Sequence, residues 1–384
     1  MNLALIGTRG IPAAYSGFET CVENLGLRLV QRGHQVTVYN RAHFIRYRES
    51  TYRGMRLVRV PGIATKHLDT ITHTAASMLH ALTQHYDAVY VFIAGNAPLC
   101  LIPRLLSRSR VIINVDGLDW RRRKWGRAAR GYLRWSERTA ARLAHVVVTD
   151  SRRVQGYYRE QYRADTVFIP YGADVTPQPP GDVLRRFGLE PGRYVLFVGR
   201  LVPENCAHHL VDAWHMLRAQ SDGGLDPNLK CVIVGDAPYA DDFIRSLKDR
   251  AAGDPSVVFT GYQFGPAYGE LSSSAALFVE TSEVGGTHPA LVEAMAYGNC
   301  VVVNDTPENQ ETIGDAGFCY RGEAGAPSLA ERLDDLLYRP DLLNEYRQRA
   351  RTYAVTHYSW DRVTDQYEQL LLPAGSARAI LPPA

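Results

Sequence analysis

Asn2-Leu3-Ala4-Leu5-Ile6-Gly7-Thr8-Arg9-Gly10 opens the chain, and Tyr194-Val195-Leu196-Phe197-Val198-Gly199-Arg200 repeats its plan in the second half. Each is a short apolar run that breaks into glycine and arginine. A strand with no polar face must be covered on both sides, as in a parallel sheet under helices. A glycine turn at its carboxyl end lets backbone N–H groups approach an anion where the next helix begins. Outward from the first run, β-rich segments at residues 35–39, 88–93, 111–115, 146–149 and 166–169 alternate with helical patterns such as 18–31 and 75–84. Proline and glycine then crowd Thr176-Pro177-Gln178-Pro179-Pro180-Gly181, and again Pro191-Gly192, and mark a boundary. After the second run the plan resumes at 230–234, 257–260, 276–280 and 300–303. The pattern predicts two doubly wound α/β domains facing each other across a cleft, with ligands beyond the carboxyl ends of the strands.

The length of 384 residues suits two domains, and 46% hydrophobic with 22% charged residues is an ordinary globular balance. No basic segment or cleavage site makes the start a signal peptide, and no apolar run reaches the ~18 residues of a membrane span. The six cysteines (21, 100, 206, 231, 300 and 319) lack metal or redox spacing, so they read as reduced cytosolic thiols. Residues 1–175 carry 26 Lys and Arg against 12 Asp and Glu, whereas the remainder carries 17 against 28. A basic half and an acidic half point to two different binding tasks.

The glycine signals exclude two nucleotide classes. The spacing of Gly7, Gly10 and Gly17 is not Gly-x-Gly-x-x-Gly, and strand two ends Tyr39-Asn40-Arg41 without an acid, so a dinucleotide site is not indicated. No P-loop motif occurs. Gly10 and Gly17 remain candidates for approaching an anion, beside the plainer reading that they only make tight turns. In the second half Gly199 and Arg200 place a fixed cation at a strand end, and Gly235 follows another strand. In Glu283-Val284-Gly285-Gly286-Thr287-His288-Pro289, Pro289 suits the first helical position, and Gly298 suits the C-terminal cap. Gly285, Gly286, Thr287 and His288 thus form the entry loop of a helix whose dipole favours an anion. Glu293, one turn inside, can accept hydrogen bonds from ribose hydroxyls, or it is a solvated or capping acid. His288 reads as ligand, base or structural residue. Twelve histidines without ligand spacing, and no Asp-x-Asp at a strand end, predict no metal and no cofactor.

Residues 120–142 are strongly basic, with Arg121, Arg122, Arg123, Lys124 and Arg127 leading, and Trp120, Trp125 and Trp135 interleaved. Such a segment can lie on an anionic bilayer, or it is a solvated helix packed by its aromatic face. The strand-end motifs argue against nucleic acid.

With these residues in hand, the chain resembles the family 4 glycosyltransferases of the GT-B fold over roughly residues 1–370. The matching pieces are Gly17-Phe18-Glu19 with Arg32-Gly33-His34, Ile169-Pro170-Tyr171-Gly172, Val198-Gly199-Arg200-Leu201, Val234-Gly235-Asp236, Phe259-Thr260-Gly261-Tyr262, Glu293-Ala294-Met295-Ala296-Tyr297-Gly298 and Tyr358-Ser359-Trp360. Gly7 to Ala13, Asn114 to Trp120 and Gly285-Gly286-Thr287 are similar to a rhamnosyltransferase-like bacterial subgroup of surface-polysaccharide assembly. The resemblance implies retaining, metal-independent transfer from a nucleoside-diphosphate sugar. It implies an acceptor-side domain at 1–175, a linker at 176–192, a donor domain at 193–355, a helix at 356–372 crossing back, and an unordered tail at 373–384. It implies catalytic roles for Arg200, Asp116 and Glu283, and donor contacts for Gly10, Gly17, Gly199, Arg200, Asn205, Gly235, Tyr262, Gly285, Gly286, Thr287, His288 and Glu293. Three positions depart from the family: Asn205 replaces a lysine, Gly285 replaces the first glutamate with Glu283 the nearest acid, and Asp116 replaces a histidine. The expected partners are the nucleotide sugar, a lipid-linked glycan acceptor and, peripherally, the anionic inner face of the cell membrane. A GT-B epimerase or a non-catalytic subunit would share these motifs.

Overall fold

The computed structural model describes residues 1–13, 17–65, 68–115, 117–122, 125–220, 225–238 and 240–372. It divides into two compact units, Met1–Gly172 with the C-terminal segment from Trp360, and Ala173–Ser359. The first unit carries β1 (Asn2–Ile6), β2 (Gln35–Arg41), β3 (Thr51–Tyr52), β4 (Met55–Val60), β5 (Ala88–Phe92), β6 (Arg110–Val115), β7 (Val146–Thr149) and β8 (Val167–Phe168). They form one sheet in the order β3-β4-β2-β1-β5-β6-β7-β8, parallel except for the β3–β4 hairpin. The second unit carries β9 (Tyr194–Val198), β10 (Lys230–Val234), β11 (Val257–Gly261), β12 (Leu277–Glu280), β13 (Cys300–Asn304) and β14 (Phe318–Tyr320). Its order, β11-β10-β9-β12-β13-β14, is that of a doubly wound nucleotide-binding sheet. In each sheet the order reverses beside the glycine-terminated strand: β1 lies between β2 and β5, and β9 between β10 and β12.

Side-chain alternation builds a core on each face of both sheets. Leu3 and Leu5 enter one apolar cluster, Ala4 and Ile6 the opposite one. In the second unit Val195 and Phe197 pack with buried Trp214, while Tyr194 and Leu196 pack with Leu291 and Met295. Each fully buried Val, Leu or Phe contributes about 1.5–3 kcal/mol.

Three strands are additions to the sequence reading. In β4 the arginines interrupt the apolar run, and its pairing depends on a tight turn with Arg53 at φ 48° and Gly54 at φ 81°. Positive φ at both turn positions matches the twist of an antiparallel pair. β14 has three residues, too few for a periodic signal.

The segment 176–192 is not a linker. It contains a helix, Asp182–Phe187, whose Leu184 and following Leu189 enter the second core. Buried Glu270 accepts hydrogen bonds from the amides of Gly181 and Leu184, both 2.8 Å, through one carboxylate oxygen. The units divide instead at Gly172, against which the Trp360 ring packs so closely that a Cβ there would lie 2.6 Å from it. The helix placed at 356–372 is shorter, Trp360–Gln369. It completes the first unit: Tyr90 donates to the Tyr367 carbonyl at 2.9 Å, and Arg32 pairs with Asp365 and Glu368 at 2.6 and 2.8 Å. The tail at 373–384 lies outside the described residues.

Glu270→Ala leaves the buried amide of Leu184 and the half-buried amide of Gly181 without their acceptor. We expect it to lower the unfolding free energy by about 1–3 kcal/mol. Urea denaturation checks this, and an unchanged midpoint would detach residues 181–184 from the cooperative fold of the second unit.

Candidate functional site

The loops after β9, β10 and β11 are joined through their backbones. Gly199 N–H donates to the Val234 carbonyl at 3.0 Å, Leu201 N–H to Asp236 at 3.3 Å, and Gly235 N–H to Gly261 at 3.0 Å. Gly235 sits at φ +140°, and a Cβ there would lie 1.8 Å from the Gly199 carbonyl oxygen. Only glycine allows this approach, so Gly235 shapes the loop whether or not it touches a ligand.

Arg200 projects from this joint, partly buried, and its guanidinium makes no hydrogen bond or ion pair among the described residues. Asn205, a candidate donor contact, donates from its amide to the Arg200 carbonyl at 3.0 Å and closes the 199–205 loop. Its own carbonyl accepts from the Thr281 hydroxyl at 2.5 Å, and Glu283 N–H donates to the Glu204 carbonyl at 3.0 Å. These bonds tie the loop after β9 to the loop after β12, across the point where strand order reverses.

The helix entry is as expected. The helix runs Pro289–Tyr297, with His288 at its N-cap, no side-chain cap on its first turn, and Gly298 at φ 82° closing it. Gly285 lies under the His288 ring, where a Cβ would be 2.5 Å from an imidazole carbon. A larger residue at 285 would have to displace that ring, so glycine here and His288 are matched. Gly286 and Thr287 are buried. Glu293, one turn inside, is partly buried, and burial pushes its carboxyl from its ordinary 4.5 up to about 7, with the neighbouring Tyr268 hydroxyl acting in the opposite direction. Tyr262 lies exposed after β11, stacked on Phe264 with ring centres 5.7 Å apart.

Gly10 and Gly17 belong to the corresponding strand-end loop of the first unit. Gly10, at φ +114°, abuts Asn40, whose amide bonds both the N–H and the carbonyl of Ile11 at 3.0 and 2.7 Å. That contact accounts for its being glycine. Gly17 is the first residue of the helix Gly17–Gln31, whose buried Glu19 accepts from Arg9 N–H at 2.8 Å. Asp116, Arg123 and Lys124 lie outside the described residues.

Arg122 is buried and paired with Asp119 at 2.7 Å, so it is not part of an exposed patch. Arg121 and, on the helix Arg127–Leu143, Arg127, Arg130, Arg134, Arg138 and Arg142 are exposed, with Trp135 among them. Trp120 lies beneath the Arg134 guanidinium, 3.9 Å from it. No helix among the described residues is long and apolar enough to cross a membrane.

The sequence reading found no metal-ligand spacing, yet the fold brings Cys206, His208 and His209 together with ligand atoms all within 4.8 Å of one another. Cys206 adopts φ 49°, left-handed backbone that costs a non-glycine residue roughly 1–2 kcal/mol. The only local signal was Cys-x-His-His directly after the 199–205 loop.

Residues 185–353 match the family Glycosyl transferases group 1, and residues 102–174 match a Domain of unknown function (DUF1972). Alpha-maltose-1-phosphate synthase of Mycolicibacterium smegmatis is 29% identical over 252 residues, 60% of this chain and 64% of that protein, so the match spans less than two thirds of that relative. Among solved structures, sucrose-phosphate synthase from Thermosynechococcus elongatus superposes with a TM-score of 0.81 at 20% identity, over 96% of this chain and 98% of that one. Anabaena HepE in complex with UDP and glucose gives 0.76 at 19% identity, over 97% and 99%. These likenesses show the GT-B fold.

Because Glu293 keeps its proton to about pH 7 in the native state and to about 4.5 when exposed, folding loses stability as pH rises through that window. Glu293→Gln is expected to flatten the fall. Buried Glu137, raised to about 7 as well, sustains the remainder. Urea midpoints at pH 5 and pH 8 test this, and an unaltered difference would contradict it.

Proposed function

We propose that this chain, whose residues 185–353 fall in the family Glycosyl transferases group 1, moves a hexose from a nucleoside-diphosphate sugar to an acceptor hydroxyl with retention at the anomeric carbon. The observation that carries this reading is Arg200: a partly buried cation with no partner among the described residues, held at the switch point of a doubly wound sheet. An anion of the donor's diphosphate type supplies the missing partner. The names of the relatives support the class, and HepE holds UDP and glucose.

In this reading Arg200 and the entry of the helix at Pro289 hold the diphosphate and stabilise the charge that grows on it as the glycosidic bond breaks. Gly285, Gly286, Thr287 and His288 line that entry. Glu293 accepts the ribose hydroxyls, and bonds donated to its carboxylate favour the ionised form over the protonated one. Tyr262 offers its exposed ring to the base. The leaving diphosphate removes the proton of the incoming hydroxyl on the same face of the sugar. Asp116 and Glu283 are assigned to the sugar itself. The opening motif from Gly7 to Ala13 makes rhamnose the first donor sugar to try. With the cation supplied by the protein, transfer needs no divalent ion at the diphosphate.

Arg200→Ala removes a charge-assisted contact worth roughly 1.5–3 kcal/mol and should weaken donor binding at least about tenfold. Transfer should proceed undiminished without added magnesium or manganese. The product's anomeric centre, read by NMR, should keep the donor's configuration. Inversion, a magnesium requirement, or donor isomerised without transfer would each defeat the assignment.

The acceptor in this reading is a lipid-linked glycan reached from the cytoplasmic membrane face. The exposed arginines of the helix Arg127–Leu143 are its support, since an anionic leaflet attracts each nearby arginine by about 1 kcal/mol. Liposome co-sedimentation should require anionic lipid, fall with salt, and drop when Arg127, Arg130 and Arg134 become glutamine. Arg122→Gln should act instead on stability. Equal sedimentation with neutral and anionic liposomes would end the membrane part alone.

A further inference from the structure

We propose that Cys206, His208 and His209 form a binding site for a borderline transition-metal ion of the Zn²⁺ type, with a solvent oxygen completing the four-coordinate set. The three ligand atoms already lie within 4.8 Å of one another. Bonds of about 2.0–2.3 Å to one ion bring such atoms closer together, so small side-chain rotations close the set. Thiolate and imidazole together select zinc-like ions and discriminate against magnesium, which prefers oxygen.

The surroundings are those of a prepared site. Cys206 is buried, and its thiol donates to the Pro203 carbonyl at 3.4 Å. Its left-handed backbone is one that glycine would adopt without strain, so a side chain is kept there at a cost. His208 Nδ1 is buried without a hydrogen-bond partner, its ring edge-on to His209 with centres 4.6 Å apart and to Phe243 at 6.0 Å. The Tyr320 hydroxyl lies 3.1 Å from His209 Nδ1 and fixes that ring, as an outer partner orients a metal-bound imidazole. The Glu283 carboxylate acts electrostatically on both imidazoles. On binding, the Cys206 thiol gives its proton to solvent, and the thiolate, two neutral imidazoles and a water surround the ion.

Position gives the site its consequence. Cys206 ends the loop that carries Arg200, and Glu283 stands on the loop that leads to Pro289. A bound ion would brace the end of that loop against the start of the following helix, beside the Thr281–Asn205 and Glu283–Glu204 bonds. The metal site itself does not rest on the transferase reading.

The test uses the full chain without a histidine tag and Co²⁺ as a spectroscopic stand-in. One equivalent should bind with a thiolate-to-metal charge-transfer band and the strong visible bands of a four-coordinate ion, and Zn²⁺ should displace it. Cys206→Ser should abolish the charge-transfer band. The double variant His208→Gln, His209→Gln should weaken Zn²⁺ at least tenfold in competition with a chromophoric chelator. Circular dichroism confirms that each variant is folded, and the histidine pair keeps the test decisive if Cys206→Ser is not. A charge-transfer band that survives in folded Cys206→Ser, or Zn²⁺ affinity equal in the wild type and the histidine double variant, overturns the proposal.

Discussion

The carbonyl of Gly199 occupies the space that any side chain at 235 would need, 1.8 Å from where its Cβ would stand. That contact brings the loops after β9 and β10 to backbone distance, and Gly235 N–H then reaches the Gly261 carbonyl. Three strand ends become one surface, and Arg200 is mounted on it. A cation on a stiff, hydrogen-bonded loop needs little reorganisation when an anion arrives, which is the condition for strong electrostatic binding at a site. On the far side of β9, Thr281 and Glu283 hold the same loop to the segment leading into Pro289.

Buried side chains do this positioning throughout, because a buried backbone group must find a partner. Asn40 pins the loop after β1, Glu19 receives the amide of Arg9, Asn205 closes its own loop, and Asn304 bonds the Thr281 carbonyl. Glu270 does the same for residues 181–184. Acids of one chemical type thus have different tasks by environment. Glu270 accepts two amides, whereas Glu293, facing Tyr268 on a helix, is held as a weak acid by burial. Glu368, bonded to His34 and Arg32, is pulled below the usual carboxylate range.

The first unit is not made by the N-terminal sequence alone. Trp360, Val363 and Tyr367 enter the same apolar cluster as Leu3, Leu5 and Ile112, and Tyr90 bonds the Tyr367 carbonyl. The chain builds the second unit as an insertion between β8 and this closing helix, so β1 and the helix Trp360–Gln369 belong to one unit.

Much of this was legible in the residues. Apolar runs broken by glycine disclosed the strands and their parallel arrangement, because a strand buried on both faces has a local signature. Pro289 and Gly298 marked one helix at both ends, because fixed φ at the start and positive φ at the end are local properties too. Tertiary structure alone decided what the remaining residues do. Gly181 and Leu184 find their acceptor 89 and 86 residues away, and Thr281 reaches Asn205 across 76. Arg122 looked like its exposed neighbours until the chain turned it onto Asp119, and Tyr268 gave no sign that it would sit beside Glu293. Cys206, His208 and His209 are neighbours in sequence, but it is the left-handed turn at Cys206 and the docking of Tyr320 that gather their ligand atoms. Periodicity and backbone preference are written residue by residue, whereas a partner across the fold exists only once packing has brought the two segments together.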